Sequence, residues 1–283
     1  MTWQHAGVET RNGYSAALAD TLRARDLVTP LHDVYRVQAG ASAAAAAEAL
    51  ALRQFRAAPL YDGETVIGTI TQEDLLICCE PRERFRPLFD GNVISADMAL
   101  HDLFALMCRE CFLLVLDGQE FIGVLTPSDL GRPPSRTYFY LLLAELEIGL
   151  AEVVRHHFPA QEAALALLSP GRRSAQQKLV EELRAQDDFL DDVAALAMID
   201  LLEVVRKVPE LARHYENPTW NMKKLLRGLG VFRNDVMHPV REFLTITSVD
   251  VGRLVDFDAR LRHLVAATDA CLMHLRPSGS DPH

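Results

Sequence analysis

Gly68, Thr71 and Asp74 stand three residues apart, and Gly123, Thr126 and Asp129 repeat that spacing about 55 residues later. A glycine at a strand end lets a ligand approach the backbone. A threonine at a helix start offers hydroxyl and amide donors to a phosphate at the positive end of the helix dipole. An aspartate one turn later can accept hydrogen bonds from ribose hydroxyls, so Gly-x-x-Thr-x-x-Asp has the chemistry to hold a nucleotide. The same Thr-x-x-Asp is an ordinary helix-capping pattern. Its duplication in register makes it informative here.

A second group is Arg233, Asn234 and His238, within the stretch Leu225 to Val240. A histidine can take or give a proton near neutral pH, and an arginine can stabilise negative charge. Asn234 lies four residues before His238 on nearly the same helix face. Arg233 sits about 140° around the helix from His238, so convergence requires the arginine's reach, a helix end at Pro239, or a second subunit. Lys223, Lys224, Arg227 and Arg241 flank the group and form the most basic stretch of the chain, a candidate RNA-binding surface. Other candidates carry less chemistry. Cys108-x-x-Cys111 lacks a second Cys or His pair at zinc spacing and reads as core filling, and His156, His157 and His214 read as solvated helix positions.

The elements that must position these residues emerge from internal repetition. Residues 57–75 and 112–130 align without a gap. Each has an apolar run, an Asp-Gly turn (Asp62-Gly63 and Asp117-Gly118), a second apolar run and a polar turn into a helix. A helix precedes each hairpin, at Ser42 to Phe55 and Ala99 to Cys108, with a short strand before it at Val34–Val37 and Val93–Ile94. The unit is β-α-β-β-α, built twice: repeat 1 over about 27–80 and repeat 2 over about 88–132. Leu75 to Phe89 is expected to be helical between them. Residues 133–137 read as a proline-rich linker. Beyond it helical periodicity takes over through 138–275, at Tyr138–Phe158, Ser174–Ala185, Phe189–Val208, Thr219–Leu229, Val231–Met237 and Val249–Leu275, with Gly228 and Gly230 as breakers. The expected fold is therefore α+β and multidomain: two β-α-β-β-α modules, then an all-α helical bundle, with tails at 1–26 (including a short helix) and 276–283.

Bulk properties agree. The 283 residues suit two domains of roughly 130–150 residues each, and a hydrophobic fraction of 49% argues against disorder. A net charge of −10 repels nucleic acid at long range, so an RNA contact needs a local basic patch such as the one around Arg227. The five scattered cysteines suit a reducing compartment, and the cytoplasm is the expected location. The N-terminus does not read as a signal peptide, and no apolar run approaches a membrane span.

Over residues 27–132 the duplicated pattern resembles the tandem CBS (cystathionine-β-synthase) domain pair. That resemblance implies two modules packed through their sheets, binding an adenine nucleotide (AMP, ADP, ATP or a related adenosine ligand) in clefts between the copies. Thr71 and Thr126 would contact phosphate, Asp74 and Asp129 ribose, and Ala57, Ala58 and Pro59 would line a base pocket. It also implies a homodimer.

Residues 137–275 resemble the HEPN (higher eukaryotes and prokaryotes nucleotide-binding) superfamily, through Arg233, Asn234 and His238 and through an opening helix with Glu145, Glu147 and Arg155. This second resemblance implies a metal-independent endoribonuclease in which the motif helices of two protomers meet. Two readings stay open: a ribonuclease regulated by nucleotide, and a non-catalytic nucleotide sensor whose helical part binds RNA, dimerises or recruits a partner.

Overall fold

A computed structural model describes residues 14–185, 191–218, 220, 222–238 and 248–275, without the side chains of 14, 183–184, 222–227 and 248–250. The chain divides into two compact units. One comprises Asp20–Tyr138 with Glu242–Val255, the other Met1–Ala19, Phe139–Arg241 and Asp256–His283.

The first unit is α/β. Its strands are β1 (Thr29–Pro30), β2 (Val37–Gln38), β3 (Ala57–Asp62), β4 (Thr65–Thr71), β5 (Arg86–Pro87), β6 (Val93–Ser95), β7 (Leu113–Asp117) and β8 (Glu120–Leu125). Helix α1 (Tyr14–Ala19) precedes them in the chain, and helices α2 (Ala43–Leu52), α3 (Gln72–Leu75) and α4 (Leu100–Met107) lie among them. Both Asp-Gly turns place their glycine in the left-handed region, Gly63 at φ +61° and Gly118 at φ +62°, where a side chain is disfavoured.

Two four-stranded sheets form, in the orders β2-β3-β4-β5 and β1-β8-β7-β6. The segment ahead of each repeat thus adds an edge strand to the other repeat's sheet: β1 pairs with β8 at Pro30↔Gly123, and β5 with β4 at Pro87↔Gly68. The expected helix over 75–89 is replaced by a 3-10 turn at Pro81–Glu83 and by β5. Its prolines suit a helix start and an edge strand.

Alternation along the strands sorts side chains into two cores. Ala58 and Leu60 of β3 pack with Ala43, Ala46, Ala47 and Leu50 of α2. Alanines at those positions let the helix lie close on the sheet. Ala57 and Tyr61, on the opposite face, join Phe112, Leu114 and Val124 of the second module in a shared cluster. The two modules therefore pack through their sheets.

The second unit is helical. It holds α1, the greater part of α5 (Pro133–His157), α6 (Gln161–Ala166), α7 (Pro170–Arg184), α8 (Met198–Lys207), α9 (Pro209–Ala212), α10 (Met222–Met237) and most of α11 (Ser248–Leu275). The proline-rich stretch 133–137 is the first turn of α5. Prolines belong there, because first-turn amides have no intrahelical acceptor to lose.

Gly228 and Gly230 do not break α10, which runs continuously through both. A Cβ on Gly228 would meet the Phe257 ring at 3.8 Å, and one on Gly230 would meet Ile199 at 3.8 Å, so both glycines sit where neighbouring helices come close. Phe232 stacks on Phe257 at 4.0 Å between centroids and meets Phe139 edge-on at 5.0 Å, which ties α10 to α11 and α5. Between 191 and 208 the expected long helix is instead a 3-10 turn at Asp192–Ala195 followed by α8.

Candidate functional site

Each Gly-x-x-Thr-x-x-Asp pattern sits where a strand hands over to a helical turn. In the first repeat Thr71 N-caps α3: its hydroxyl accepts the Asp74 amide at 3.1 Å, and Asp74 Oδ2 accepts the Thr71 amide at 3.3 Å and hydroxyl at 2.5 Å. In the second repeat Asp129 Oδ2 accepts the Thr126 amide and hydroxyl, both at 2.7 Å, at the head of the 3-10 turn Pro127–Gly131. Both threonine–aspartate pairs are thus capping boxes, which hold the carboxylate beside the orphan amides of a helical start.

The two copies then diverge. Asp74 Oδ1 accepts no hydrogen bond among the described residues, and the residue is half-buried. Asp129 is 6% exposed. Its Oδ1 accepts the Thr29 hydroxyl at 3.1 Å and faces Arg132 Nη2 at 2.7 Å. Arg132 also donates to the Leu27 carbonyl and the Thr29 hydroxyl, both at 2.6 Å. Arg132 lies outside both Gly-x-x-Thr-x-x-Asp motifs. Its signal was present but local, an arginine three residues after the motif aspartate with Ile77 in the matching position of the first repeat.

The glycines need a different explanation from the one their position suggested. A Cβ on Gly68 would overlap the Arg86 carbonyl oxygen and lie 2.7 Å from the Phe85 ring, while one on Gly123 would overlap the Thr29 carbonyl oxygen and the Val28 side chain. The backbone approached at each glycine is therefore the chain's own exchanged edge strand.

The base-pocket candidates also separate. Ala57 and Ala58 face opposite sides of β3, and Ala58, fully buried against α2, is closed to any ligand in the cleft between the copies. Ala57 lies in the core shared by the two sheets, 7% exposed, and Pro59 is buried on the same strand. Across that core, Asn92 is fully buried and donates from Nδ2 to the Thr69 hydroxyl at 3.0 Å and the Arg86 carbonyl at 3.2 Å.

In the helical unit, Arg233, Asn234 and His238 all belong to α10 or its end. The His238 amide donates to the Asn234 carbonyl at 3.1 Å, which extends the last turn past Met237. Asn234 and His238 are exposed and Arg233 is half-buried. Arg233 lies 4.0 Å from Glu147 Oε2 on α5, and Glu147 Oε1 accepts the Met198 amide at 2.9 Å at the start of α8. That carboxylate holds three helices together at the arginine.

Glu145, buried on the same helix, accepts the Ser15 amide at 3.1 Å. Arg155 forms a two-pronged pair with Asp191 at 2.5 and 3.0 Å, and the guanidinium holds the Asp191 carboxyl below its ordinary value. Lys223, Lys224 and Arg227 fall in the first turns of α10, where side chains are not described, and Arg241 lies outside the described residues.

Cys108 and Cys111 are exposed, against the expectation of core filling. Cys108 caps the C-terminus of α4 and Cys111 precedes the first buried residue leading into β7, Phe112. No group of residues able to hold a metal ion occurs among the described residues. None of their helices is long and apolar enough to cross a membrane. A cavity of about 530 Å³, which the sequence did not signal, opens in the helical unit between Leu202, Val205, Arg206, Tyr215, Asn217 and Trp220.

Comparison with known proteins places a match to the CBS domain family at residues 24–79. Similar solved structures include a CBS-pair protein, CBSX2 from Arabidopsis thaliana, also solved in complex with AMP. At 20% identity, it covers 42% of this chain and 97% of its own in the AMP complex, with a TM-score of 0.36. Another is the CBS domain of a bacterial CNNM/CorC family Mg2+ transporter in complex with ATP (15% identity, 44% and 93% coverage, TM-score 0.36). A third is a hemolysin-like CBS-domain protein of Oenococcus oeni PSU (17%, 41% and 93%, TM-score 0.35). No curated protein matches the chain.

Proposed function

We propose that this chain is an adenine-nucleotide sensor: its CBS-type unit binds an adenosine ligand, and that binding governs what the helical unit does. The observation that carries the reading is the half-buried Asp74. It is fixed by its cap to Thr71, and among the described residues its second carboxylate oxygen accepts no hydrogen bond. CBS domains bind adenine nucleotides, and residues 24–79, which match that family, include all three motif positions of the first repeat.

The test is thermal unfolding of the full chain against AMP, ADP, ATP, GMP and UMP. A ligand that binds only the folded state at a hundred times its Kd adds about 2.7 kcal/mol. The melting temperature should therefore rise with at least one adenine nucleotide. A flat response to all three adenine nucleotides at millimolar concentration sinks the reading.

A second reading concerns the helical unit, where Arg233 is braced by Glu147 while Asn234 and His238 reach solvent on α10. With His238 as acid and base and Arg233 as phosphate clamp, the unit would cut RNA through the substrate's own 2′-hydroxyl without a metal. Because Arg233 and His238 sit about 140° apart around the helix, pooling them between two protomers would bring them together. Assayed on diverse single-stranded RNAs in EDTA, the protein should leave 2′,3′-cyclic phosphate ends. Inert protein, with and without nucleotide, leaves a sensor whose helical unit binds RNA, dimerises or recruits a partner.

A further inference from the structure

We infer that the two repeats are not equivalent sites: one nucleotide binds per chain, at Asp74, and Arg132 closes the second repeat from within. The inference rests on the nucleotide-binding reading above and divides it between the copies.

An ionised carboxylate offers about four acceptor positions, two on each oxygen. At Asp129 both oxygens are engaged. Oδ2 accepts the Thr126 amide and hydroxyl, and Oδ1 accepts the Thr29 hydroxyl and is ion-paired with Arg132 Nη2 at 2.7 Å. A ribose presenting its 2′- and 3′-hydroxyls would find neither oxygen free there. It would also have to displace a charge-assisted contact of 2.7 Å from a carboxylate that is 6% exposed. Among the described residues only the capping half of Asp74 is used, by the Thr71 amide and hydroxyl, and the two positions on Oδ1 match the two donors of a ribose.

The repeat supplies its own internal control. Ile77 stands where Arg132 stands and has no charge to offer; it is 64% exposed. Arg86 stands where Thr29 stands, since Arg86 pairs with Thr69 on β4 as Thr29 pairs with Val124 on β8. Arg86 turns to Glu110, at 2.5 and 3.2 Å, and leaves Asp74 alone. Arg132 is held in turn by the Leu27 carbonyl and the Thr29 hydroxyl, so the clamp includes the strand that runs into the second sheet.

Isothermal titration of the full chain with AMP, ADP and ATP tests this. Wild type should bind one nucleotide per chain. Asp74→Asn keeps a capping oxygen but replaces the free acceptor with a donor, and should weaken binding at least about tenfold. Arg132→Ala, checked for an unchanged circular dichroism spectrum, should raise the stoichiometry towards two. A wild-type stoichiometry of two, or an Asp74→Asn variant that still binds one nucleotide at wild-type affinity, overturns the assignment. An Arg132→Ala protein that stays at one removes Arg132 as the closing residue. Absence of binding to wild type by any of the three is a different result: it overturns the nucleotide-binding reading itself, and this inference with it.

Discussion

Whether an aspartate serves as a ligand or as a cap depends on how many of its acceptor positions the fold has already filled. Asp74 and Asp129 have the same sequence context but different remaining capacity. The same reasoning applies to Asp191, whose carboxyl is held below its ordinary value of 3.8 first by the hydrogen bond from Arg155 and further by the Ala194 amide. A depressed folded-state pKa contributes stability that is fully present above the unfolded value and is lost as pH falls through the lowered one. On acidification below about 3.8, wild type should therefore lose stability more steeply than Asp191→Asn. With both side chains about one-third exposed, the difference should be about 1 kcal/mol or less. Urea unfolding at pH 6 and at pH 3 would read it, and parallel pH profiles for the two proteins would dismiss it. At the other candidate site, His238→Ala and Arg233→Ala should each lower RNA cleavage at least about a hundredfold in a folded protein, because each would remove one acid–base or electrostatic contribution. A His238→Ala variant as active as wild type would rule out the acid–base assignment.

At the scale of elements, the glycines behave as packing positions. Gly68 and Gly123 let β5 and β1 pair with strands of the opposite repeat, at positions where a methyl group would overlap a carbonyl oxygen. Gly68→Ala and Gly123→Ala should each cost about 1–3 kcal/mol, the usual range for overpacking. Chemical denaturation should show a lowered midpoint for both, and an unchanged midpoint would mean the edge strands can shift without penalty. Gly228 and Gly230 stand in van der Waals contact distance instead, at 3.8 Å from Phe257 and Ile199. An alanine is tolerable there, and it also relieves the roughly 1 kcal/mol helix penalty of glycine. Gly228→Ala should therefore be neutral or stabilising, a contrast in sign with Gly123→Ala that a single set of melts can read.

For the whole molecule, the composite site proposed from Arg233 and His238 calls for two copies of the chain, one supplying each residue. Light scattering at micromolar concentration should report twice the 31.5 kDa chain mass. A monomer throughout would remove the composite site while leaving nucleotide binding within one chain intact. If the dimer forms and cuts, a nucleotide at Asp74 should change the rate, because a ligand with different affinity for two arrangements shifts their populations. An identical rate with and without saturating nucleotide would separate sensing from cleavage.

The sequence by itself determined the duplication, because Asp-Gly turns, alternating apolar runs and Thr-x-x-Asp caps are local signals that repeat 55 residues apart. It also separated an α/β first part from a helical second part, since hydrophobic period is read within a window of a few turns. Tertiary structure decided whatever depended on residues distant in the chain. Glycines that read as ligand-approach points or helix breakers proved to be contact points for β1, β5, Phe257 and Ile199, partners 18 to 94 residues away that no local pattern names. The inequality of the two aspartates has the same origin. Thr29 lies 100 residues before Asp129, and only the strand exchange between the repeats brings its hydroxyl to that carboxylate, to complete with Arg132 the set of acceptor contacts that Asp74 leaves half open.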